Sequence, residues 1–226
     1  MIPKVEQYWA WLEPHLRGFS PEEQRAALVL YRELAKGQPV DVAQFSRALK
    51  VSPTEARALL ERDSIKGFAY PDDRGRVLGF GGLAVAPMHH RFEVDGRDLW
   101  TWCAWDSLFI PEILGRTARV ISPDPETSEL VRVIVAPQRI DSVEPGTAVV
   151  SFVLPDAHIF DTSAASVMAK FCHFVFFFAN RASGERWMAK HPGTFLYSLD
   201  EAFSLAKWLN ARNFGPELAR RAGAVV

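Results

Sequence analysis

Cysteine is scarce in this sequence, which has Cys103 and Cys172 as its two cysteines among 226 residues. Two cysteines cannot supply the disulfide framework that stabilises many small secreted domains. The N-terminal residues contain neither the apolar segment nor the cleavage pattern of a secretory signal. We therefore predict a cytoplasmic protein whose cysteines are free thiols, metal ligands or catalytic groups.

Long hydrophobic runs and a large charge of either sign are absent as well. The longest apolar run, residues 171–179, is interrupted by His173 and is far too short to cross a bilayer. The formal net charge is −1, which gives no general attraction to nucleic acids or anionic lipids. We expect neither a membrane nor a nucleic acid as a partner.

Apolar and aromatic side chains are what the sequence has in quantity. Hydrophobic residues make up 48% of the chain and include 7 Trp and 16 Phe. This is enough apolar material to bury a sizeable, aromatic-rich core, as expected for a globular protein. The length suits one large domain or two small ones.

The first 87 residues are dominated by helical patterns. Capping boxes at Ser20 and Ser52, and an apolar helical spacing after Asp41, predict three helices. The pattern then changes to that of two strands joined by a turn within residues 68–86. Three helices followed by a β-hairpin is the element order of a winged helix, and we predict a winged-helix-like domain over residues 1–87.

The remainder, residues 88–226, mixes strand and helix patterns. Asp95-Gly96 is a strong hairpin signal between two alternating segments. Residues 172–178 are predicted to form a strand that is buried on both faces, and Ser183 is a predicted helix start. A third capping box, at Ser198, predicts a helix that runs to about Asn213. We therefore predict an α+β protein, in which a mixed β-sheet core with flanking helices follows the N-terminal domain.

A winged helix is often a DNA-binding element whose second helix enters the major groove. Residues 1–87, however, contain 12 Lys and Arg against 11 Asp and Glu, a net charge of +1. The segment that would read DNA, residues 54–63, carries two Arg against three acidic residues, whereas phosphate neutralisation needs a basic face. We therefore expect this domain to be a scaffold that supports or covers the functional site.

The two cysteines become candidates for chemistry because an acid lies near the first of them. Asp106 follows Cys103 by three positions, so the two side chains share a face if this segment is helical. Thiolates are the preferred ligands of soft metal ions, and a nearby carboxylate can move a proton. The alternatives are that Cys103 and Cys172 are small buried hydrophobes and that Asp106 is a helix N-cap.

Several motifs carry a resemblance to a known family. They are Leu99-Trp100-Thr101-Trp102-Cys103-Ala104-Trp105-Asp106, Gly115-Arg116-Thr117-Ala118-Arg119-Val120, Phe171-Cys172-His173 and Lys190-His191. Together they resemble the organomercurial lyases, also called alkylmercury lyases. The resemblance extends over about residues 30–210. Its most specific part is the Trp-Cys-Ala-x-Asp run combined with a second cysteine at the matching distance.

The resemblance implies an enzyme that cleaves the carbon–mercury bond of R–Hg⁺ with a proton, giving R–H and Hg²⁺. It implies that Cys103, Asp106 and Cys172 are catalytic. It also implies that Cys103 and Cys172 hold the mercury product, with Asp106 as a further ligand candidate. No organic cofactor is implied. The substrate would be a small organomercurial, and cellular thiols or a mercuric reductase would accept the mercury.

The sequence departs from the family pattern at two places. Many members have another cysteine directly after the later catalytic one, where this chain has His173. Several also have a cysteine in the loop where this chain has Ser122-Pro123-Asp124-Pro125. Neither cysteine is thought essential in the family, so the departures affect the hand-off of the product rather than the three matched residues.

Two other classes of protein could use the same residues. A thiol-based carrier of soft metals would bind mercury through both cysteines without releasing a hydrocarbon, and a winged-helix regulator would sense the metal and bind DNA. The near-neutral N-terminal domain counts against the regulator. A structural zinc site is not expected, because His89, His90 and His173 do not lie at spacings that complete a tetrahedral site with either cysteine.

Overall fold

The computed structural model describes residues 2–16, 18–154 and 163–223, the last three of these by their backbone alone. The helices in these ranges are α1 Val5–Leu12, α2 Pro21–Leu34, α3 Val42–Leu49, α4 Pro53–Leu60, α5 Asp63–Lys66, α6 Asp106–Leu114, α7 Ala164–Lys170, α8 Arg181–Lys190 and α9 Leu199–Gly223. The strands are β1 Ala69–Pro71, β2 Val77–Phe80, β3 Leu83–Ala84, β4 His90–Val94, β5 Arg97–Thr101, β6 Ala118–Pro123, β7 Leu130–Ala136, β8 Arg139–Glu144, β9 Val149–Val153, β10 Phe177–Phe178 and β11 Thr194–Ser198. None of the described helices is both long and apolar enough to cross a membrane.

The capping boxes predicted at Ser20, Ser52 and Ser198 are present. The Ser20 hydroxyl accepts a hydrogen bond from the Glu23 amide at 3.4 Å, and the Glu23 carboxylate accepts one from the Ser20 amide at 2.8 Å. The same reciprocal pairs form at Ser52 and Ser198. Each box satisfies amides that have no partner within the helix, and such a cap stabilises a helix by about 1 kcal/mol.

Helix α8 begins before the predicted position. Its N-cap is Asn180, whose side chain accepts a hydrogen bond from the Ser183 amide at 3.0 Å. The Ser183 hydroxyl instead donates to the buried carboxylate of Asp124 at 2.9 Å. Asn and Ser are equally good caps, and the tertiary contact with Asp124, which the sequence does not show, decides between them.

Eight strands form the main sheet, in the order β1-β2-β3-β5-β4-β6-β7-β8. The sequence pattern predicts a mixed sheet, but every pairing among the described strands is antiparallel. The physical reason is the short connections, since antiparallel neighbours can be joined by a tight turn whereas parallel ones need a long crossover. The Asp95-Gly96 turn between β4 and β5 is one of them, with both residues at positive φ.

The main sheet includes strands from residues 1–87 and strands from residues 88–226. Strand β3 pairs with β5, so that Leu83 lies opposite Thr101 and Ala84 lies opposite Trp100. Helix α2 packs against β2, β3 and α6. The predicted helices and hairpin of residues 1–87 are therefore present and contact the rest of the protein. The winged-helix assignment and the boundary at residue 87 stay predictions.

A second, three-stranded sheet has the order β10-β9-β11. The strand predicted over residues 172–178 is present at Phe177–Phe178, which pairs with β9. Cys172–Phe174 instead forms a 3-10 turn that exposes His173. The prediction of one continuous strand is wrong, because a short apolar run indicates burial without distinguishing a strand from a buried turn or helix.

Helix α9 extends further than the sequence pattern predicts. The pattern ends near Asn213, but the helix continues through Pro216 to Gly223. Just after Asn213, the buried ring of Phe214 stacks on Phe19 at a centroid distance of 5.7 Å and meets Tyr31 edge-on at 6.4 Å. These contacts hold α9 across the N-terminal helices and close one side of the cavity described next.

Candidate active site

Cys103 lies between β5 and α6, and three hydrogen bonds to backbone carbonyls hold this segment in place. The Trp102 amide donates to the Gly82 carbonyl at 2.9 Å, and the Ala104 amide donates to the Val175 carbonyl at 3.0 Å. The Thr101 hydroxyl donates to the carbonyl of Cys103 itself at 2.9 Å. Cys103 is completely buried, so its position is determined by the surrounding backbone rather than by solvent.

Cys172 begins the 3-10 turn that follows α7. The Val175 amide closes this turn by donating to the Cys172 carbonyl at 3.1 Å. Because the Val175 carbonyl accepts from Ala104, one residue joins the two cysteine-bearing segments. The two thiols also share a hydrogen bond. The fold thus brings together two cysteines that lie 69 positions apart in the sequence.

Asp106 completes this cluster from the first position of α6. Its carboxylate accepts a hydrogen bond from the Cys103 amide at 2.7 Å and does not cap the helix, because the N-cap position belongs to Trp105. One carboxylate oxygen of Asp106 and the sulfurs of Cys103 and Cys172 all lie within 4.8 Å of one another. Within the described residues, these three side chains form the group that could hold a metal ion.

Burial controls the protonation of the cluster. It raises the pKa of Asp106 to about 7, although hydrogen bonds from the side chain and amide of Cys103 act in the opposite direction. Burial also raises the pKa of Cys103 well above its ordinary value, and the hydrogen bond to Cys172 and the charge of Asp106 add to this. The hydrogen bond from Cys103 lowers the pKa of Cys172, but burial and the Asp106 charge outweigh it, so this pKa is raised too. Near neutral pH the thiols are protonated and Asp106 titrates.

A cavity of about 130 Å³ leads to the cluster. Asp106 and Cys172 line it, whereas Cys103 lies behind them. Apolar and aromatic side chains form most of the wall: Leu12, Leu16, Phe19, Tyr31, Phe68, Phe80, Trp102, Trp105, Phe109, Ile113, Val167, Phe171, Leu209 and Phe214. An apolar group of the size of a benzene ring fits a cavity of this volume. The site therefore combines a largely apolar pocket with two soft sulfur ligands and one acid.

Trp102 and Trp105 both line the cavity. Both are also largely buried, at 6% and 5% exposure. The Trp105 indole donates to the Ala202 carbonyl at 3.1 Å and meets Phe171 edge-on. They therefore form part of the cavity wall and of the core at the same time.

The histidines considered as metal ligands have other partners. A ring nitrogen of His90 lies 2.8 Å from the Ser122 hydroxyl, and one of His89 lies 2.8 Å from the Pro123 carbonyl. Both contacts tie β4 to β6 at its end. His173 is exposed beside the buried Cys172.

Two glycines that sequence reasoning missed also contact the site. Gly81 and Gly82 have φ angles of +50° and +96°, and the backbone of Gly82 packs directly against the carboxyl group of Asp106. A Gly-Gly pair is a turn signal, and it could have been noted between the two strand patterns. Its contact with Asp106 depends on tertiary structure, which the sequence does not display.

The chain is similar to known proteins in both sequence and structure. Residues 83–210 match the family model described as alkylmercury lyase. The chain is 42% identical over 178 residues to an alkylmercury lyase of Streptomyces lividans, covering 79% of this chain and 78% of that protein. It is 39% identical over 184 residues to one of Staphylococcus epidermidis, covering 81% and 80%. A crystal structure of the mercury-bound form of MerB2 has a similar fold, with a TM-score of 0.71, 19% identity, and coverage of 88% of this chain and 95% of that one.

Proposed function

The chain belongs to the alkylmercury lyase family and cleaves the carbon–mercury bond of organomercurials, and we propose that Cys103, Cys172 and Asp106 perform this reaction. The observation that carries the proposal is the convergence of two thiols and one acid within 4.8 Å at the end of an apolar cavity. The net reaction is R–Hg⁺ + H⁺ → R–H + Hg²⁺. Its difficulty is that the carbon must leave with the electron pair of the carbon–mercury bond, which requires a proton at that carbon.

The first step is capture of mercury by one cysteine. The organomercurial enters as a complex with a small thiol, R–Hg–SR′, and its organic group occupies the apolar cavity. One cysteine sulfur forms a bond to mercury, the bond to R′S breaks, and the thiol proton leaves with R′SH. Asp106 remains a carboxylate through this step, because its own proton is not used.

The second cysteine then binds mercury and transfers its proton to Asp106. A coordinating thiol is deprotonated by the metal, and the carboxylate within 4.8 Å of the sulfurs is the acceptor. A pKa of about 7 suits Asp106 for this exchange, because such a group can both accept a proton from a metal-bound thiol and give it up again. Mercury now has two thiolate ligands, which push electron density onto it and weaken its bond to carbon.

In the third step Asp106 delivers the proton to carbon. The electron pair of the carbon–mercury bond forms the new carbon–hydrogen bond, R–H leaves, and Hg²⁺ remains on Cys103 and Cys172. Asp106 is again a carboxylate. Two molecules of R′SH return protons to the cysteines and remove mercury as Hg(SR′)₂, so the enzyme regains its starting state. We propose no organic cofactor, since each atom and electron is accounted for without one.

Several features of the cellular setting belong to the same proposal. Residues 1–87 act as a winged-helix-like scaffold for the catalytic residues 88–226 rather than as a DNA reader. The reaction takes place in the cytoplasm, where small thiols keep both cysteines reduced. These thiols, together with a mercuric reductase, accept the product. No nucleic acid or membrane takes part.

The test is incubation of the reduced protein with a phenylmercury–thiol complex and excess thiol, followed by assay of benzene and Hg²⁺. We expect both products in equal amounts over many turnovers. Asp106→Asn should still bind mercury but lose cleavage by about 10²–10⁴-fold, as is typical when a positioned acid is removed. Mercury binding without benzene in the wild-type protein would indicate a carrier, and near wild-type cleavage by Asp106→Asn would assign the proton to another group.

A further inference from the structure

The hydroxyl of Tyr31 is a buried polar group that the proposed reaction does not use. Tyr31 lies in α2 and is 4% exposed. Its hydroxyl donates a hydrogen bond to the Gly81 carbonyl at 2.7 Å, across 50 positions of sequence. Its ring meets Phe80 edge-on at 5.3 Å and lines the cavity. Tyr31 lies outside residues 83–210, the part matched by the family model.

The turn that Tyr31 holds forms the wall behind the Asp106 carboxyl group. A Cβ atom at Gly82 would lie 2.5 Å from Asp106 Cγ and 2.6 Å from Oδ1. The glycine backbone therefore packs closely against the acid, and a side chain at this position would have to displace the carboxyl group. A Cβ at Gly81 would in turn lie 2.3 Å from the Tyr31 hydroxyl. Tyr31, the glycine turn and Asp106 thus form one continuous packed series.

We propose that Tyr31 is a positioning residue, whose hydrogen bond to Gly81 holds the Gly81–Gly82 turn against Asp106 and so fixes the carboxyl group for proton transfer to carbon. This inference rests on the proposed role of Asp106. It also gives the N-terminal helices a specific part in the reaction, because α2 supplies the hydroxyl while α6 supplies the acid. Loss of this hydroxyl should therefore act differently on the two stages of catalysis, mercury binding and proton transfer to carbon.

Mercury capture depends on contacts that Tyr31 does not make. The cysteine segments are joined by the bond between Ala104 and Val175, and the Cys103 carbonyl is held by Thr101. Loosening the glycine turn weakens the hydrogen bond from the Trp102 amide to the Gly82 carbonyl, but it leaves these two in place and lets the carboxyl group move. A displacement of about 1 Å costs up to about 10²-fold in a rate that depends on geometry. Loss of the Tyr31 hydroxyl should therefore affect carbon protonation and spare mercury binding.

The experiment compares Tyr31→Phe with Tyr8→Phe. Tyr8 offers a matched control, because it is also buried and its hydroxyl donates to a backbone carbonyl, that of Val153, at 2.9 Å. Phe at position 31 keeps the ring contacts with Phe80 and Phe214. We expect Tyr31→Phe to lower kcat for benzene release from phenylmercury by about 10–100-fold. KM and the titration of two thiols by one equivalent of Hg²⁺ should stay as in the wild type, and Tyr8→Phe should change neither kcat nor KM.

A second pair of variants tests the glycine turn itself. Gly82→Ala places a methyl group against Asp106 Cγ, whereas Gly75→Ala has a similarly positive φ, +73°, with nothing within 4 Å of its Cβ. Both changes introduce the backbone strain of positive φ, but only the first displaces the acid. We expect Gly82→Ala to lose more kcat than Tyr31→Phe while still binding one Hg²⁺ through two thiols, and Gly75→Ala to keep wild-type kcat.

Three outcomes would overturn the inference. They are an unchanged kcat in Tyr31→Phe, an equal loss in Tyr8→Phe, and a Tyr31→Phe variant that no longer binds mercury through both thiols. Asp106→Asn measured in parallel separates this failure from that of the proposed function. If Asp106→Asn is inactive and Tyr31→Phe matches its control, the positioning role alone is rejected. If Asp106→Asn is active, the role of the acid itself is rejected.

Discussion

In the proposed mechanism each cysteine contributes one of the two bonds that mercury needs before its carbon can leave. A serine hydroxyl has the shape of the thiol but is a poor ligand for a soft metal. We therefore predict that Cys103→Ser and Cys172→Ser each reduce hydrocarbon release to less than about 1% of wild type, and that the double variant is little worse, because the two residues act as a unit. Gas-phase assay of the hydrocarbon measures this. Substantial turnover by either single variant would refute the two-thiolate mechanism.

The raised pKa of Asp106 determines how the reaction depends on pH. In the proposed mechanism the free enzyme must hold Asp106 as a carboxylate to accept the thiol proton, and burial raises the pKa of Asp106 to about 7. We predict that kcat/KM falls as the pH is lowered through about 7, in a pH series with one organomercurial and constant thiol. A fall near pH 4 would show an acid of ordinary pKa. The same shift makes the buried carboxylate destabilising at high pH, so stability from this group is present at low pH and lost as the pH rises through 7.

The three residues of the proposed site could be singled out from sequence, whereas the contacts that support them could not. Cys103, Cys172 and Asp106 stand out because cysteine is rare and an acid lies three positions from one of them. Tyr31 looked like one more apolar residue of a helix face. Its hydroxyl partner, Gly81, lies 50 positions away, and a hydrogen bond between distant backbone and side-chain groups leaves no periodic pattern in a sequence.

At the scale of elements, helix starts were predicted best, because a capping box is encoded within four residues. The boxes at Ser20, Ser52 and Ser198 are local and are confirmed. The single strand predicted over residues 172–178 is not confirmed, since the burial of this segment arises from its contacts with both sheets and with α7. The same holds for the length of α9, which depends on the contacts of Phe214 with Tyr31 in α2 and with Phe19 just before α2. Local signals determine where an element begins, and tertiary contacts determine how far it runs.

Asp124 directly follows β6, and the hydrogen bonds of its carboxylate connect the two sheets. Its carboxylate accepts hydrogen bonds from the Ala179 amide, the Ser183 hydroxyl and the Glu126 amide at 2.8–2.9 Å. We predict that Asp124→Ala lowers the free energy of unfolding by about 2–5 kcal/mol, because buried donors lose their acceptor. Asp98→Ala, which breaks the exposed ion pair with Arg91, should cost less than about 1 kcal/mol. Urea unfolding of both variants measures these changes, and equal losses of free energy of unfolding would contradict the connecting role of Asp124.

At the scale of the whole molecule, residues 1–87 and residues 88–226 share one sheet, in which β3 pairs with β5. Deleting residues 1–87 would leave the edge of β5 unpaired and uncover the face of α6 on which α2 packs. An exposed sheet edge is prone to aggregation. We predict that the truncated protein is insoluble or poorly active, as measured by soluble yield and hydrocarbon release. A truncated protein that folds and turns over normally would show that these residues have a separate role.

The backbone hydrogen bond between Ala104 and Val175 joins the two cysteine segments before any mercury arrives. In the proposed mechanism the Hg²⁺ product then adds a second, far stronger link between them. An S–Hg–S bridge closes a loop of chain across 69 positions, as a cross-link does, and it exists in the folded state where the sulfurs converge. By thermodynamic linkage the loaded enzyme is more stable than the free one, and we predict a higher melting temperature with one equivalent of Hg²⁺, an increase that Cys172→Ser should abolish. The free energy that stabilises the loaded protein is the same free energy that incoming thiols must overcome to release the metal. Thiol concentration therefore sets a balance between a heat-resistant, arrested protein and a less stable one that turns over.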